Sequence, residues 1–375
     1  MISPVFALIF GVLVSQPAFG LPSKITDVDD WCVVTEFDEV AKAVKNCTNI
    51  ILDSVQVPGG ETLKLHLNEG TQLIFRGEIV FGYAVWAGPL VEINGTNVYI
   101  EGEGAVLNGQ GELYWDGKGE WGSLKPKFFT LQLHNSVMTF INVLNSPVHC
   151  VQLADSTDVE LSFWTIDNWA GMPEVAGADK CGHNTDGFDI WNGTNIRLTT
   201  NMVFNQDDCV AIRCGNNIFV DQMSCFGGHG LSISVGFSNE SVQQNTLSNV
   251  IVSDSVIQNG ENGIHIKTHV DGGLGSITNV TYKNILIREV TKYGINVQQN
   301  YRNQPANSSQ PSDAKNNIPI TNLTFDNIFG LVQESAVPIY INCAEDGCFD
   351  WTFNDVNVTG TKSNNCNFQP AGFTC

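Results

Sequence analysis

Two short phrases recur along the chain, and both alternate apolar with polar positions. The first opens on a small polar residue followed by Asn, then branched apolar residues at alternate positions: Thr194-Asn-Ile-Arg-Leu198, Asn216-Asn-Ile-Phe-Val220, Ser248-Asn-Val-Ile-Val252, Thr278-Asn-Val-Thr-Tyr282 and Thr321-Asn-Leu-Thr-Phe325. The second runs Asp186-Gly-Phe-Asp-Ile190, Asp208-Cys-Val-Ala-Ile212, His229-Gly-Leu-Ser-Ile233, Asn262-Gly-Ile-His-Ile266 and Tyr293-Gly-Ile-Asn-Val297. Alternation of this kind predicts half-buried strands. Asn217 follows Asn195 by 22 residues, and repeats in the twenties predict a solenoid in which each coil lays short strands on those of the coil before. The expected fold is all-β, a single-domain parallel β-helix. Residues Glu36 to Lys45 read as a short helix, expected to cap its open N-terminal end.

The register brings polar residues together. Asp208 follows Asp186 by 22 residues and His229 follows Asp208 by 21. The three therefore share one column on successive coils, roughly 4.8 Å apart along the axis, and Asp207 joins them if the chain bends there. The third and fifth positions of the phrase should point inward and their neighbours outward. Each aspartate alone reads as a turn or ladder residue. The whole set reads as a functional site, because stacking like charges costs stability and must raise the pKa of one of them.

Composition narrows the picture. Charged residues are 15% of the 375-residue chain and glycines number 36, which suits tight-turned β structure. The apolar run Val5 to Val14, followed by Pro17-Ala-Phe-Gly20, reads as a secretory leader cleaved near Gly20, with the catalytic domain over 21–375. The run is too short to span a bilayer, and no later stretch could, so no membrane association is expected. Eleven cysteines agree with export. So do the sequons at Asn46, Asn94, Asn192, Asn239, Asn279, Asn307, Asn322 and Asn357. A net charge of −21 argues against nucleic acid as a partner. It also requires a local basic patch if the substrate is a polyanion.

Carboxylates of different proton affinity are what glycosidic cleavage needs: one protonated to donate to the leaving oxygen, another ionised to activate water. The stretches Asn184-Thr-Asp-Gly-Phe-Asp189, Gln206-Asp-Asp-Cys-Val-Ala211, Gly227-Gly-His-Gly-Leu-Ser232 and Gly263-Ile-His-Ile-Lys-Thr268 appear in order at matching spacing. Phe81-Gly-Tyr-Ala-Val-Trp-Ala-Gly-Pro89, Tyr114-Trp-Asp-Gly-Lys-Gly119 and Lys125-Pro-Lys-Phe-Phe129 support them. From about Trp31 to Cys375 the chain resembles the polygalacturonases, glycoside hydrolase family 28. The resemblance implies a right-handed solenoid and polygalacturonic acid (pectin) as substrate, cleaved with inversion in a single displacement. It implies Asp207 as general acid, Asp186 and Asp208 as holders and activators of the attacking water, and His229 as support for the acid's protonation state. Lys267 and Tyr301 would bind galacturonate carboxylates, with Asn184 beside them on the substrate side. It implies no cofactor or metal, a monomer, and plant polygalacturonase-inhibiting proteins as candidate partners.

One position departs from the pattern. The family has Arg-Ile-Lys where this chain has His265-Ile266-Lys267. Histidine lacks the guanidinium fork and is charged only below about pH 6.5. Four readings follow: tolerated drift, activity confined to acidic pH, a changed substrate, or binding without catalysis. Arg213 shares the outward column of Lys267 two coils away. It either restores some of the missing charge or is an exposed residue stacked on Trp191.

The resemblance further implies disulfides Cys32–Cys47, Cys209–Cys225, Cys343–Cys348 and Cys366–Cys375. Cys150 and Cys181 could then pair, leaving Cys214 odd. A zinc reading of Cys225 with His229 competes with the disulfide and lacks a second ligand pair. Gln304 to Asn317, rich in Pro and Ser, reads as a surface loop near the far end of the cleft. The leading expectation is an endo-acting polygalacturonase. A catalytically dead pectin-binding paralogue and an exo-acting or decorated-galacturonan hydrolase stand as alternatives. A calcium-dependent pectate lyase of the same solenoid is disfavoured by the hydrolytic character of the site.

Overall fold

The computed structural model describes residues 31–305 and 308–375. The expected leader and the sequon at Asn307 lie outside the described residues. Every strand pairing is parallel, and the strands fall into three rows that run the length of a right-handed parallel β-helix. One row carries the second sequence phrase: Val151–Ala154, Phe188–Trp191, Val210–Ile212, Leu231–Val235, Asn262–His269 and Tyr293–Tyr301, each stacked on the next. Phe188 pairs with Val210, Val210 with Leu231, Leu231 with Ile264, and Ile264 with Ile295. These residues, and the column Ile190, Ile212, Ile233, Ile266 and Val297, are buried in one continuous core. Apolar burial along these columns is the main stabilising contribution.

The Asn of the first phrase turns the corner of each coil. Asn97, Asn195, Asn217, Asn249, Asn279 and Asn322 all hold positive φ near +55°, a left-handed conformation that Asn tolerates better than other non-glycine residues. Their amides bond from coil to coil. Asn217 Nδ2 donates to Asn195 Oδ1 at 2.8 Å, and Asn279 Nδ2 to Asn249 Oδ1 at 2.6 Å.

At the N-terminal end a 3₁₀ turn, Phe37–Glu39, leads into a helix, Val40–Asn46. Val40, Ala43 and Val44 are buried against the first coils, so the cap sits where the pattern placed it, with its α-helical part starting later. Cys32–Cys47, Cys209–Cys225, Cys343–Cys348 and Cys366–Cys375 are disulfide-bonded. Cys150 and Cys181 do not pair: Cys150 lies buried in the core, Cys181 sits in a loop, and both thiols are free, as is Cys214. No helix among the described residues is long and apolar enough to cross a membrane. Asn239, Asn279, Asn322 and Asn357 are exposed, whereas Asn94 is half-buried.

Candidate active site

The bend that brings Asp207 beside Asp208 is fixed by a residue the sequence reading passed over. Asn205 is buried, and its Nδ2 donates to the carbonyls of Thr185 (3.0 Å), Asp207 (3.0 Å) and Asp208 (2.9 Å). The Asp208 N–H donates to Asp207 Oδ1 at 2.7 Å, and the His229 N–H to the Asp207 carbonyl at 2.7 Å. Gly228 completes the bend, since a Cβ there would fall 2.3 Å from Asn205 Oδ1 and the Asp207 carbonyl. The disulfide Cys209–Cys225 ties together the two coils that carry Asp208 and His229.

Asp186, Asp207, Asp208, His229, Asn184, Arg213, Lys267, His265 and Tyr301 all line one cleft. His229 Nδ1 lies 3.2 Å from Asp207 Oδ1, and Asn184 Nδ2 donates to Asp207 Oδ2 at 3.0 Å. Asp208 accepts from Ser232 Oγ at 2.6 Å and from Lys267 Nζ at 2.9 Å. Lys267 Nζ also lies 5.0 Å from the centre of the Tyr301 ring. Asp186 is buried with Oδ1 unpartnered, and its nearest cations, His149 Nδ1 and Arg213 Nη2, are each 3.5 Å away.

The electrostatics separate these carboxylates. Burial, and then the charge of Asp207, push Asp186 well above the usual carboxylate range. Burial would raise Asp207 too, but the His229 imidazolium beside it and Lys267 hold it low. Burial opposes the charge on His229, yet Asp207 and Glu261 lift it to about 9. The proton shared by Asp207 and His229 therefore rests on the imidazole in the free protein. The two titrate as a pair.

Six residues that the sequence reading did not assign complete the network. Asp189 accepts from Arg213 Nη2 at 2.7 Å and faces His149 Nδ1 at 2.9 Å. His149 Nε2 lies 3.6 Å from Glu120, whose Oε1 accepts from Asn303 Nδ2 at 3.1 Å. Two loops bordering the cleft are thereby joined. Glu261 lies 3.7 Å from His229 and 3.3 Å from Lys292. Asp189 is the outward fourth position of its phrase, so the alternation could have flagged it.

The structure revises the reading of two residues. Arg213 and Lys267 do share a column, through Ser234. Arg213 is neither exposed nor free, however: it is buried on Asp189, with its guanidinium 4.6 Å from the Phe237 ring and 5.4 Å from Trp191. Its charge is matched there and does not stand in for a cation at His265. His265 is buried, bonds Gln298 at 3.1 Å, and is kept neutral by burial and then by Lys267. Both influences work against a His265 switched by mild acid. The zinc reading is set aside because Cys225 is disulfide-bonded. Among the described residues two groups of metal-type ligand atoms occur, His149/Asp186/Asp189 and Asp207/Asp208/His229. Arg213 and Lys267 already bring a cation to each, which a metal ion would have to displace.

A solenoid cleft with buried carboxylates of divided proton affinity, one tied to an imidazolium and another to a lysine, is the equipment of a glycoside hydrolase. The chain belongs to glycosyl hydrolases family 28, whose model matches residues 47–375. It is 44% identical to endopolygalacturonase I of Aspergillus aculeatus, over 96% of this chain and 94% of that one. It is 38% identical to a polygalacturonase of Phaedon cochleariae, over 97% and 98%. Among solved structures, endopolygalacturonase I of Stereum purpureum in complex with two galacturonates superposes with a TM-score of 0.79. It is 29% identical, covering 90% of this chain and 96% of that one.

Proposed function

We infer that this chain is an endo-polygalacturonase that hydrolyses α-1,4-galacturonosyl linkages of polygalacturonic acid. The observation that carries the reading is the convergence of Asp186, Asp207, Asp208 and His229 beside the buried cation Lys267. Relatives named endopolygalacturonase align over nearly the whole chain.

In the proposed reaction Asp207 is the general acid. The free protein stores its proton on His229, 3.2 Å away. A bound galacturonate brings negative charge into the cleft and draws on Lys267, one of the cations that hold Asp207 low. Both effects raise the proton affinity of Asp207. The Asp207–His229 pair can then protonate the leaving oxygen. Asp186 and Asp208 hold the attacking water on the other side of the bond, the ionised Asp186 takes the proton that the water loses, and inversion follows from a single displacement. Lys267, Tyr301 and Asn184 position the sugar carboxylate and the acid. Neutral His265 contributes a hydrogen-bonding edge instead of a charge, and Arg213, anchored on Asp189, faces Asp186 directly.

The wider reading is a secreted monomer with a cleaved leader and one solenoid domain, supported by the leader-like N-terminus, the sequons and the four disulfides. The test is reducing-end release from demethylated polygalacturonic acid across the acid and neutral range, with products resolved by size and Asp207→Asn as control. Mixed short oligomers that vanish in the variant support the reading. Polymer binding without any release would replace it with a binding paralogue, and release of a single small product would replace endo with exo action.

A further inference from the structure

The stretch Lys125-Pro-Lys-Phe-Phe129 contains two lysines with different fates. Lys125 is buried, 2.9 Å from Asp116 Oδ1, and it also donates to the Gly119 carbonyl at 3.0 Å. Lys127 is half-buried and lines the cleft. Its place follows from the register. Phe129 pairs with Val151, and Val151 with Phe188. Two residues back along each strand, Lys127, His149 and Asp186 therefore occupy one column. The Phe128 N–H donates to the His149 carbonyl at 3.0 Å and the Cys150 N–H to the Asp186 carbonyl at 2.8 Å, which carries the ladder through these positions. Lys127 thus extends the catalytic column two coils towards the N-terminal end, roughly 10 Å from Asp186.

Its pairing sets it apart. Among the described residues four lysines and arginines line the cleft: Lys127, Arg213, Lys267 and Lys292. Arg213 lies 2.7 Å from Asp189, Lys267 2.9 Å from Asp208 and Lys292 3.3 Å from Glu261. Among the described residues, Lys127 has no carboxylate within ion-pair distance. Its ammonium donates instead to the neutral amide oxygen of Gln152 at 2.7 Å. An ammonium has three donors. One is spent on an oxygen that fixes its position, and the charge is left unmatched. On a chain of net charge −21, a held but uncompensated cation inside the cleft is where a polyanion gains most, because no internal ion pair has to be broken first.

We propose that Lys127, positioned by Gln152, binds the carboxylate of a uronate unit lying in the N-terminal arm of the cleft, at least one sugar away from the bond that is cleaved. The proposal rests on the polyuronate-hydrolase reading above. It makes Lys127 a determinant of the chain length the enzyme prefers and of where along an oligomer it cuts.

The test compares wild type, Lys127→Gln and Lys127→Arg on demethylated polygalacturonic acid and on oligogalacturonates of increasing length, with thermal melting to confirm the fold. Lys127→Gln should raise KM for the polymer and the longer oligomers about fivefold, a typical partly exposed ion-pair contribution. It should shift the cleavage pattern on those oligomers and flatten the salt dependence of KM. The shortest cleavable oligomers should lose less, and Lys127→Arg should recover most of the loss. A polymer KM equal to wild type overturns the proposal. So does an equal loss on every chain length, which would make Lys127 a support of the fold. If wild type itself releases nothing from the polymer, the hydrolase reading has failed, an outcome distinct from a cleaving wild type matched by Lys127→Gln.

Discussion

Two polar columns run along this solenoid, and they are built on opposite principles. At one corner Asn195, Asn217, Asn249, Asn279 and Asn322 stack as neutral amides, several of them bonded directly to the next and all in the left-handed conformation that turns the chain. Along the cleft, Lys127, His149, Asp186, Asp208 and His229 stack as charges. An amide both donates and accepts, so identical amides satisfy one another, and such a column needs nothing from outside. Carboxylates cannot do that. Three in the cleft are held by cations: Asp208 by Lys267, Asp189 by Arg213 and His149, Asp207 by His229. Asp186 is left with no close partner and a raised pKa. The first column serves the fold. The second holds unlike proton affinities in one place at a cost to stability.

The sharpest way to separate the columns is Asp207→Asn. Removing the acid while keeping its shape should lower kcat on polygalacturonate by about 10²–10⁴-fold. The melting temperature should fall only modestly, since the amide that replaces the carboxyl keeps a partner in Asn184 and Glu261 still faces the His229 imidazole. A melting temperature many degrees lower would mean that the charge supports the fold, and the contrast would collapse.

Next in size is Lys267→Met. It leaves Asp208 buried without its cation, and breaking one side of a buried pair costs about 3–5 kcal/mol, readable from urea unfolding. Adding Asp208→Asn should return much of that loss but none of the activity. If the double variant is no more stable than the single one, Lys267 matters for packing and its charge does not.

The pairing of Asp207 with His229 gives a pH signature. His229 titrates near 9 in the folded protein, raised by Asp207 and Glu261 against the effect of burial, and near 6.5 when unfolded. A raised folded pKa means that the stability it contributes is complete below about 6.5 and is lost as pH climbs through 9. Stability measured by urea midpoint should therefore fall across that window. In His229→Gln the fall should be smaller. An unchanged slope in the variant would show that the imidazole is neutral in the native protein.

Breaking the neutral column should have a smaller effect. Asn217→Ala removes an amide bond and puts alanine at positive φ, together worth about 1–2 kcal/mol. Activity at a temperature where the protein stays folded should be retained, because Asn217 lies on a corner away from the cleft. Lost activity in a folded variant would mean that the two columns are coupled.

The contrast also explains what the sequence disclosed. Asp208 follows Asp186 by 22 residues and His229 follows Asp208 by 21, and the same two phrases recur at longer intervals beyond them, so the fold and the Asp186, Asp208, His229 column could be read directly. The bend at Asp207 could only be anticipated, because it depends on the side chain of Asn205 reaching three carbonyls. His149 was hidden for a different reason. Its coil and the next are offset by 37 residues, Val151 to Phe188, because a long loop intervenes, and the period that exposed the other members fails there. Arg213 was placed in the right column but credited with a free charge. Column position does not reveal that Asp189, one coil back, is close enough to hold it. Cys150 and Cys181 looked available to each other only because sequence does not show that one faces the core.

The smallest expected effect belongs to His265, the position whose readings from sequence ran from tolerated drift to lost catalysis. A charged imidazole there would make activity fall as pH rises through neutrality. The structure instead buries His265 beside Lys267, and both influences favour its neutral form. His265→Asn, which keeps a polar edge towards Gln298, should change KM for polygalacturonate only a few-fold and leave the midpoints of the pH–rate profile where they are. The acid limb should instead follow Asp186, whose burial places it above the ordinary carboxylate range: activity that needs an ionised Asp186 is lost as pH falls through that raised value. Movement of a limb in His265→Asn would show that the imidazole titrates in the working enzyme, and that charge reaches along the neighbouring column of Asp189, Ala211 and Ser232.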